Sequence, residues 1–132
     1  MKFTAHGYHW NVEGPDFAQY HQFFGDLYSE VYENTIDQTA EYIRTLDVYT
    51  PGSFERFGEL SVITGQTKIP RAMLMIQELA DDNTALLQIL TQTFKSAVDE
   101  NNEGIANFIA ERLDAHNKHG WMLRSFLKGS RA

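Results

Sequence analysis

The amino-acid sequence predicts an all-α protein, a bundle of antiparallel helices with one longer crossover. Apolar residues recur at helical spacing over three long stretches, about residues 17–46, 70–98 and 103–128. The three prolines lie between these stretches or at their ends, where they do not interrupt a helix. Short connections make successive helices neighbours in space. The exception is the path from about residue 46 to residue 70, between the first two of these long stretches, which carries a short helix of its own.

The N-terminal segment is predicted to form a short helix that leads into a long one. Residues 1–12 are rich in aromatic side chains, and Gly14 and Pro15 end this truncated first helix. Asp16 is a suitable N-cap for the second helix, over residues 17–46. We expect the two helices to form a hairpin.

Capping residues predict the bounds of the crossover helix and of the last two helices. Ser53 can cap a short helix over Phe54–Leu60, and the next long helix is predicted over residues 70–98, with its proline in the first turn. The last helix is predicted from Glu103 to Lys128, with Gly129 as its C-cap and a frayed end after it. The predicted inward-facing positions of this helix are Ile105, Ile109, Leu113, His116, Gly120, Leu123 and Leu127.

Composition limits both the architecture and the function. A chain of 132 residues suits a single domain, residues 1–132, with a core of its own. The absence of cysteine excludes disulfides, zinc fingers and cysteine nucleophiles. No apolar run is long enough to span a membrane and residues 1–12 lack a signal-peptide core, so we expect a cytoplasmic protein. The net charge of −7 disfavours DNA and anionic membranes and favours cations.

Four side chains in the N-terminal half form a plausible metal-ligand set. His9 and His21 lie on the predicted helical hairpin, and Asp37 and Glu41 are four residues apart, on one face of the second helix. Imidazole nitrogens and carboxylate oxygens together suit iron or another first-row metal. A single histidine on a helix is more often a structural residue than a metal ligand. The prediction therefore rests on the two histidines and the two carboxylates taken together.

Three segments together resemble one family over nearly the whole chain. That family is the Dps family, the ferritin-like mini-ferritins of starved bacteria. The matching segments are His9-Trp10-Asn11-Val12-x-Gly14-x-x-Phe17-x-x-x-His21-x-x-Phe24-x-x-Leu27-Tyr28, Asp37-x-x-x-Glu41-x-Ile43-Arg44-x-Leu46 and Ala110-Glu111-Arg112-Leu113-Asp114-Ala115-His116-x-Lys118-x-x-Trp121-Met122-Leu123-Arg124.

The resemblance implies a ferritin-like four-helix bundle that assembles through two-fold dimers into a hollow dodecamer. It implies a ferroxidase site at the two-fold interface, with His9 and His21 from one subunit and Asp37 and Glu41 from its mate. Iron would be oxidised there by peroxide or oxygen and stored as ferric oxide inside the shell. Trp10 would lie beside the metal.

The sequence departs from the family pattern in three ways. Only eight residues precede His9, so the first helix is truncated or the sequence begins within it. Gly25 stands where the family has an acid, four residues after His21. The spacing from His21 to Asp37 is one residue longer than in the family. Fifteen steps place a residue roughly 60° round a straight helix and sixteen place it roughly 160° round, so the carboxylates would face away without a correction.

A π-bulge, one extra residue in a helical turn, would restore the facing. A bulge near Tyr32–Ile36 fits the apolar stripe, which has a step of five between Val31 and Ile36, and leaves Gly25 at the acid position. A bulge between His21 and Asp26 would instead make Asp26 the acid and keep more ligands. The stripe favours the first placement.

Two other functions compete with iron oxidation. A ferritin-like structural or assembly protein that has lost its metal site would explain the truncated helix, Gly25 and the extra residue. A DNA-protecting nucleoid protein is the third reading. DNA contact is disfavoured because the chain is acidic and only Lys128 and Arg131 are available as basic residues near the C-terminus.

Overall fold

A computed structural model describes residues 1–128 and contains helices and turns but no strand in that range. Six α-helices follow one another: α1 (Lys2–Asn11), α2 (Phe17–Val31), α3 (Asp37–Thr45), α4 (Phe54–Leu60), α5 (Ala72–Asp99) and α6 (Glu103–Lys128). A π-helical turn, Tyr32–Ile36, joins α2 to α3, so these two helices form one long rod. The rod, α1, α5 and α6 make the bundle, and α4 lies in the crossover. The all-α prediction is confirmed.

The π-helical turn confirms the first of the two predicted placements of the extra residue. It covers Tyr32–Ile36, whereas the helix between His21 and Asp26 is regular α-helix, so the alternative placement is wrong. The physical reason is the apolar stripe. A wider turn lets the helix bury Val31 on one side of the turn and resume its apolar spacing on the other.

The core has two centres. The larger one lies where α1 packs on the rod, α5 and α6, and the smaller one lies farther along α5 and α6. The larger centre contains Ala5, Tyr8, Val12, Phe24, Leu27, Val31, Met75, Ile76, Leu79 and Leu123. The smaller centre contains Leu90, Phe108 and Ile109.

The helix ends show which local signals were sufficient. Ser53 caps α4 as predicted, since its hydroxyl oxygen accepts from the backbone N–H of Arg56 at 3.2 Å. Asp16 stands at the N-cap of α2 but makes no side-chain cap, because its φ of 63° lies in the left-handed region and a capping side chain needs an extended backbone. Pro70 precedes α5 by two residues rather than lying in its first turn. The predicted cap Gly129 lies outside the described residues.

Deleting Thr35 is expected to turn the rod into one continuous α-helix and to raise its stability. The deletion removes the extra residue and a buried hydroxyl that has no hydrogen-bond partner in the described structure, which costs about 1–3 kcal/mol. Urea unfolding measures the change. Deleting Ser29, within the regular α2, is the matched control and should destabilise strongly, because it rotates the apolar face by roughly 100° away from the core. Equal losses from both deletions would contradict the assignment of the extra residue to this turn.

Candidate metal site

The two predicted histidine ligands lie against each other at the base of the α1–α2 hairpin. The rings of His9 and His21 stack with centroids 3.8 Å apart and planes 19° apart. The Nδ1–H of His9 donates to the backbone carbonyl of His21 at 2.7 Å, and the Nδ1–H of His21 donates to the carbonyl of His9 at 2.6 Å. We call these two residues the histidine pair.

This reciprocal bonding places a proton on Nδ1 of both imidazoles. In the neutral form, a ring that donates from Nδ1 to a carbonyl has its lone pair on Nε2, where a metal can bind. A backbone carbonyl behind the ring is also the partner that metal-binding histidines use to hold their orientation. The pair therefore has the tautomer and the support that a metal site needs.

Gly25 allows the rings to lie this close. A Cβ atom placed on Gly25 would be 3.0 Å from Nδ1 of His9 and 3.1 Å from its Cε1. The imidazole thus occupies the space into which any side chain at this position would extend. The family's acid is absent here, and His9 packs against the bare backbone instead.

Aromatic side chains border the pair on one side. His6 lies between the rings of Tyr28, at a centroid distance of 3.8 Å, and Trp10, at 4.0 Å. Its centroid is 6.3 Å from that of His9. Trp10 is 66% exposed. The outer surface of α1 next to the histidine pair is therefore largely aromatic.

The two predicted carboxylates lie on α3, far along the rod from the pair. Both Asp37 and Glu41 are exposed, and neither has a hydrogen bond or ion pair within residues 1–128. Sixteen residues of helix separate His21 from Asp37, which corresponds to roughly 24 Å at the α-helical rise. The pair and the two carboxylates of one chain therefore cannot bind the same ion.

Asp26 leaves the helix in a different direction from the pair. It follows Gly25, which faces His9, and successive side chains diverge by roughly 100° on a helix. Its carboxylate accepts from Nε2 of Gln22 at 2.8 Å, and it borders a cavity of about 370 Å³ together with Glu30, Lys118 and His119. The structure brings His9 and His21 together and does not bring Asp26, Asp37 or Glu41 to them within one chain.

A cluster of polar side chains inside the bundle was not predicted. Glu30 on α2 accepts from both terminal nitrogens of Arg112, at 2.6 and 2.8 Å, and from Nε2 of His119 at 2.5 Å. Arg112 also donates to Nε2 of His116 at 3.0 Å, and Nδ1 of His116 donates to Oδ1 of Asn83 at 2.9 Å. We call these five residues the buried polar cluster. It ties α2, α5 and α6 together.

Two pKa values in the cluster are displaced by their surroundings. The hydrogen bonds from Arg112 lower the pKa of Glu30 to about 2, against the opposing effect of burial. Burial, reinforced by the charge of Arg112, lowers the pKa of His116 to about 3. At neutral pH the first is therefore a carboxylate and the second a neutral imidazole.

The sequence contains a signal that could have indicated the buried polar cluster. Arg112 lies three residues after Ile109 and four before His116, both predicted inward-facing positions, and Asn83 lies four residues after the buried Leu79. Polar residues on an apolar stripe indicate a buried network.

Within residues 1–128, no three His, Asp or Glu side chains are arranged to hold a metal ion. No helix of that range is both long and apolar enough to cross a membrane.

Comparisons with known proteins agree with this architecture. The family model described as a ferritin-like domain matches residues 3–132. An uncharacterized low temperature-induced protein of Nostoc sp. is 36% identical over 124 residues, which cover 92% of this chain and 69% of the relative. DNA protection during starvation protein 2 of Bacillus anthracis is 29% identical over 122 residues, 92% of this chain and 83% of the relative.

Solved structures give the same result. The Dps protein of Bacillus brevis superposes with a TM-score of 0.90 at 28% identity, covering 96% of this chain and 84% of that one. The chain belongs to the Dps family. A Dps protein of Vibrio cholerae O1, described as a member of a broad superfamily of ferritin-like diiron-carboxylate proteins, superposes with a TM-score of 0.91 at 28% identity, covering 96% and 79%. The predicted ferritin-like bundle with a crossover helix is therefore confirmed.

Proposed function

We propose that this Dps-family protein binds ferrous iron between two subunits, oxidises it with peroxide or oxygen, and stores the ferric product. The histidine pair is the observation that carries the proposal. Two stacked imidazoles with unprotonated Nε2 atoms, each held by a backbone carbonyl, suit a borderline cation such as ferrous iron.

The second half of the site comes from another copy of the chain. The distance along the rod prevents the pair from sharing an ion with its own Asp37 and Glu41. A two-fold axis that sets two rods antiparallel would bring the carboxylates of each subunit to the histidines of the other. The exposure of both carboxylates and of Trp10 agrees with a surface that such a dimer covers. The full assembly would be a homo-oligomer built from these dimers, as the resemblance to dodecameric shells implies.

The chemistry that this arrangement supports is electron transfer from iron to peroxide. Two ferrous ions each lose one electron, and hydrogen peroxide takes up two electrons and two protons to give two water molecules. Histidine nitrogens hold the ferrous ion, and carboxylate oxygens favour the ferric product. The acidity of the chain, with a net charge of −7, draws iron to the shell.

Loss of the site is the second candidate, and Gly25 is the observation that favours it. A site without the acid of the first subunit has one ligand fewer, and the chain would then act as a ferritin-like scaffold. The two candidate functions assume the same assembly, and they differ only in whether the protein oxidises iron.

The double variant His9→Ala/His21→Ala is expected to lower the initial rate of iron oxidation by peroxide more than roughly tenfold, since losing even an outer partner of a ligand costs that much. Stopped-flow absorbance of ferric iron measures the rate. His6→Ala is the matched control, because it removes an imidazole from the same helix and leaves the pair intact. A rate unchanged in the double variant would support the scaffold.

Mixing two inactive variants tests the inter-subunit arrangement. Refolding the double histidine variant together with Asp37→Ala/Glu41→Ala creates hybrid dimers in which one of the two sites has all its ligands. Half of the dimers are hybrids, so about a quarter of the parent rate should return. A mixture as inactive as its components would exclude ligands from two chains.

A further inference from the structure

A second cavity lies between the start of α2, the start of α5 and the last turns of α6. Its volume is about 600 Å³, which is typical of small-molecule sites in proteins. Neither His9 nor His21 borders it, so it is separate from the candidate metal site. Its walls are mainly aromatic rings and methionine side chains, namely Tyr20, Phe23, Met73, Trp121, Met122 and Phe126.

The rings of α2 and α6 form a continuous apolar wall. The centroid of Phe126 lies 5.4 Å from that of Tyr20 and 4.7 Å from that of Phe23. The hydroxyl of Tyr20 donates to the sulfur of Met73 at 3.4 Å, so the polar group of this wall is bound within the wall itself. Such a wall suits a planar apolar body, because aromatic rings pack well against other rings and against thioethers.

The charge at this cavity comes from Asp16, which is the only charged residue on its border. The φ of 63° keeps this side chain from capping α2, and its carboxylate has no hydrogen bond or ion pair within residues 1–128. An unpaired carboxylate at the edge of an apolar cavity attracts cations and repels anions. The net charge of −7 acts in the same direction.

Trp121 provides a further attraction for a positive charge. It borders the cavity and is 58% exposed, and an indole face is the side-chain surface that attracts cations most strongly. We propose that this cavity binds an amphipathic amine, with an apolar ring system among the aromatic and methionine side chains and an ammonium group beside the carboxylate of Asp16. This binding requires no iron, so it stands or falls independently of the proposed ferroxidase site.

Three ligands that share one apolar body and differ in charge test the proposal: naphthylethylamine, naphthylethanol and naphthylacetate. We expect the metal-free, assembled protein to bind about one amine per chain, roughly threefold to fivefold more tightly than the alcohol, since an exposed carboxylate contributes a modest attraction. The anionic ligand should bind most weakly. Isothermal titration calorimetry at low salt measures the three affinities, and added salt should reduce the differences between them.

Asp16→Asn removes the charge and keeps a residue that tolerates the left-handed backbone. It should remove most of the preference for the amine and leave the affinity for the alcohol unchanged. Asp47→Asn is the matched control, because Asp47 is also exposed, has a φ of 61° and does not border the cavity. Ser125→Trp, which fills the cavity from its exposed edge, should abolish the binding of both ligands.

The proposal is overturned if the parent binds none of the three ligands, or if it binds the amine and the alcohol equally well. It is also overturned if Asp16→Asn keeps the full preference for the amine, or if Ser125→Trp binds the amine as tightly as the parent does. None of these results depends on whether the protein oxidises iron.

Discussion

Replacing Glu30 with glutamine is expected to lower the free energy of unfolding by about 3–5 kcal/mol, because it leaves the charge of Arg112 buried without a counter-ion. The side chain of Arg112 is 5% exposed and has no other acidic partner within residues 1–128. The amide keeps the shape of the carboxylate, so the loss reports charge and hydrogen bonding rather than a cavity. Urea unfolding followed by circular dichroism measures it.

An exposed ion pair of the same chain provides the control. Arg56 and Glu59 are 2.8 Å apart on α4, with side chains 54% and 55% exposed. Breaking this pair with Glu59→Gln should cost less than about 1 kcal/mol, since water already solvates both charges. If the two glutamine substitutions cost the same, the buried polar cluster does not hold the helices together.

The elements that the sequence predicts well are those fixed by neighbours along the chain. The predicted bounds of α4 and α6 agree with those of the structure, because a serine cap defines the start of α4 and an uninterrupted apolar period defines α6. The π-helical turn is another such case. A single step of five in the apolar stripe located it, since the helix can satisfy its core only by winding one extra residue there.

The buried polar cluster could not be predicted from local sequence patterns. Glu30 and Arg112 are 82 positions apart, so no local rule pairs them. Arginine is also a residue that is rarely buried unless paired, and Arg112 is not among the predicted inward-facing positions of its helix, so its burial was not predicted. Only the packing of α6 against α2 decides that the two meet.

In the candidate metal site, too, some features could be predicted from the sequence and others depend on packing. That His9 and His21 meet follows from a hairpin of two helices, but their reciprocal bonds to each other's carbonyls depend on Gly25 having no side chain. The role of Asp37 and Glu41 depends on a second chain. The sequence indicates candidate ligands, and the geometry of one subunit shows only that its own histidine pair and carboxylates lie too far apart to share an ion.

Lowering the pH from about 6.5 is expected to destabilise the protein steadily, beginning well above the range in which carboxylates titrate. The pKa of His116 is lowered from 6.5 to about 3 in the folded state, so between these values the unfolded chain binds a proton that the folded chain does not. The contribution of His116 to the free energy of unfolding is therefore fully present above pH 6.5. It is lost as the pH falls, by up to about 1.4 kcal/mol per pH unit.

Glu30 adds a second loss at lower pH. Its folded pKa of about 2 lies below its ordinary 4.5, so its contribution is present above pH 4.5 and disappears as the pH falls toward 2. The interval between pH 6.5 and 4.5 consequently separates the histidine from the carboxylate. Urea unfolding at a series of pH values across that interval measures the slope.

His116→Gln isolates the histidine because glutamine does not titrate. The variant should be less stable than the parent at pH 7 yet show a flatter dependence on pH between 6.5 and 4.5. Desolvation also lowers the pKa of His6, but this imidazole lies outside the buried polar cluster, so His6→Ala should keep most of the parent's slope. If His116→Gln retains the full slope, the acid sensitivity arises elsewhere and His116 is not held neutral by its burial beside Arg112.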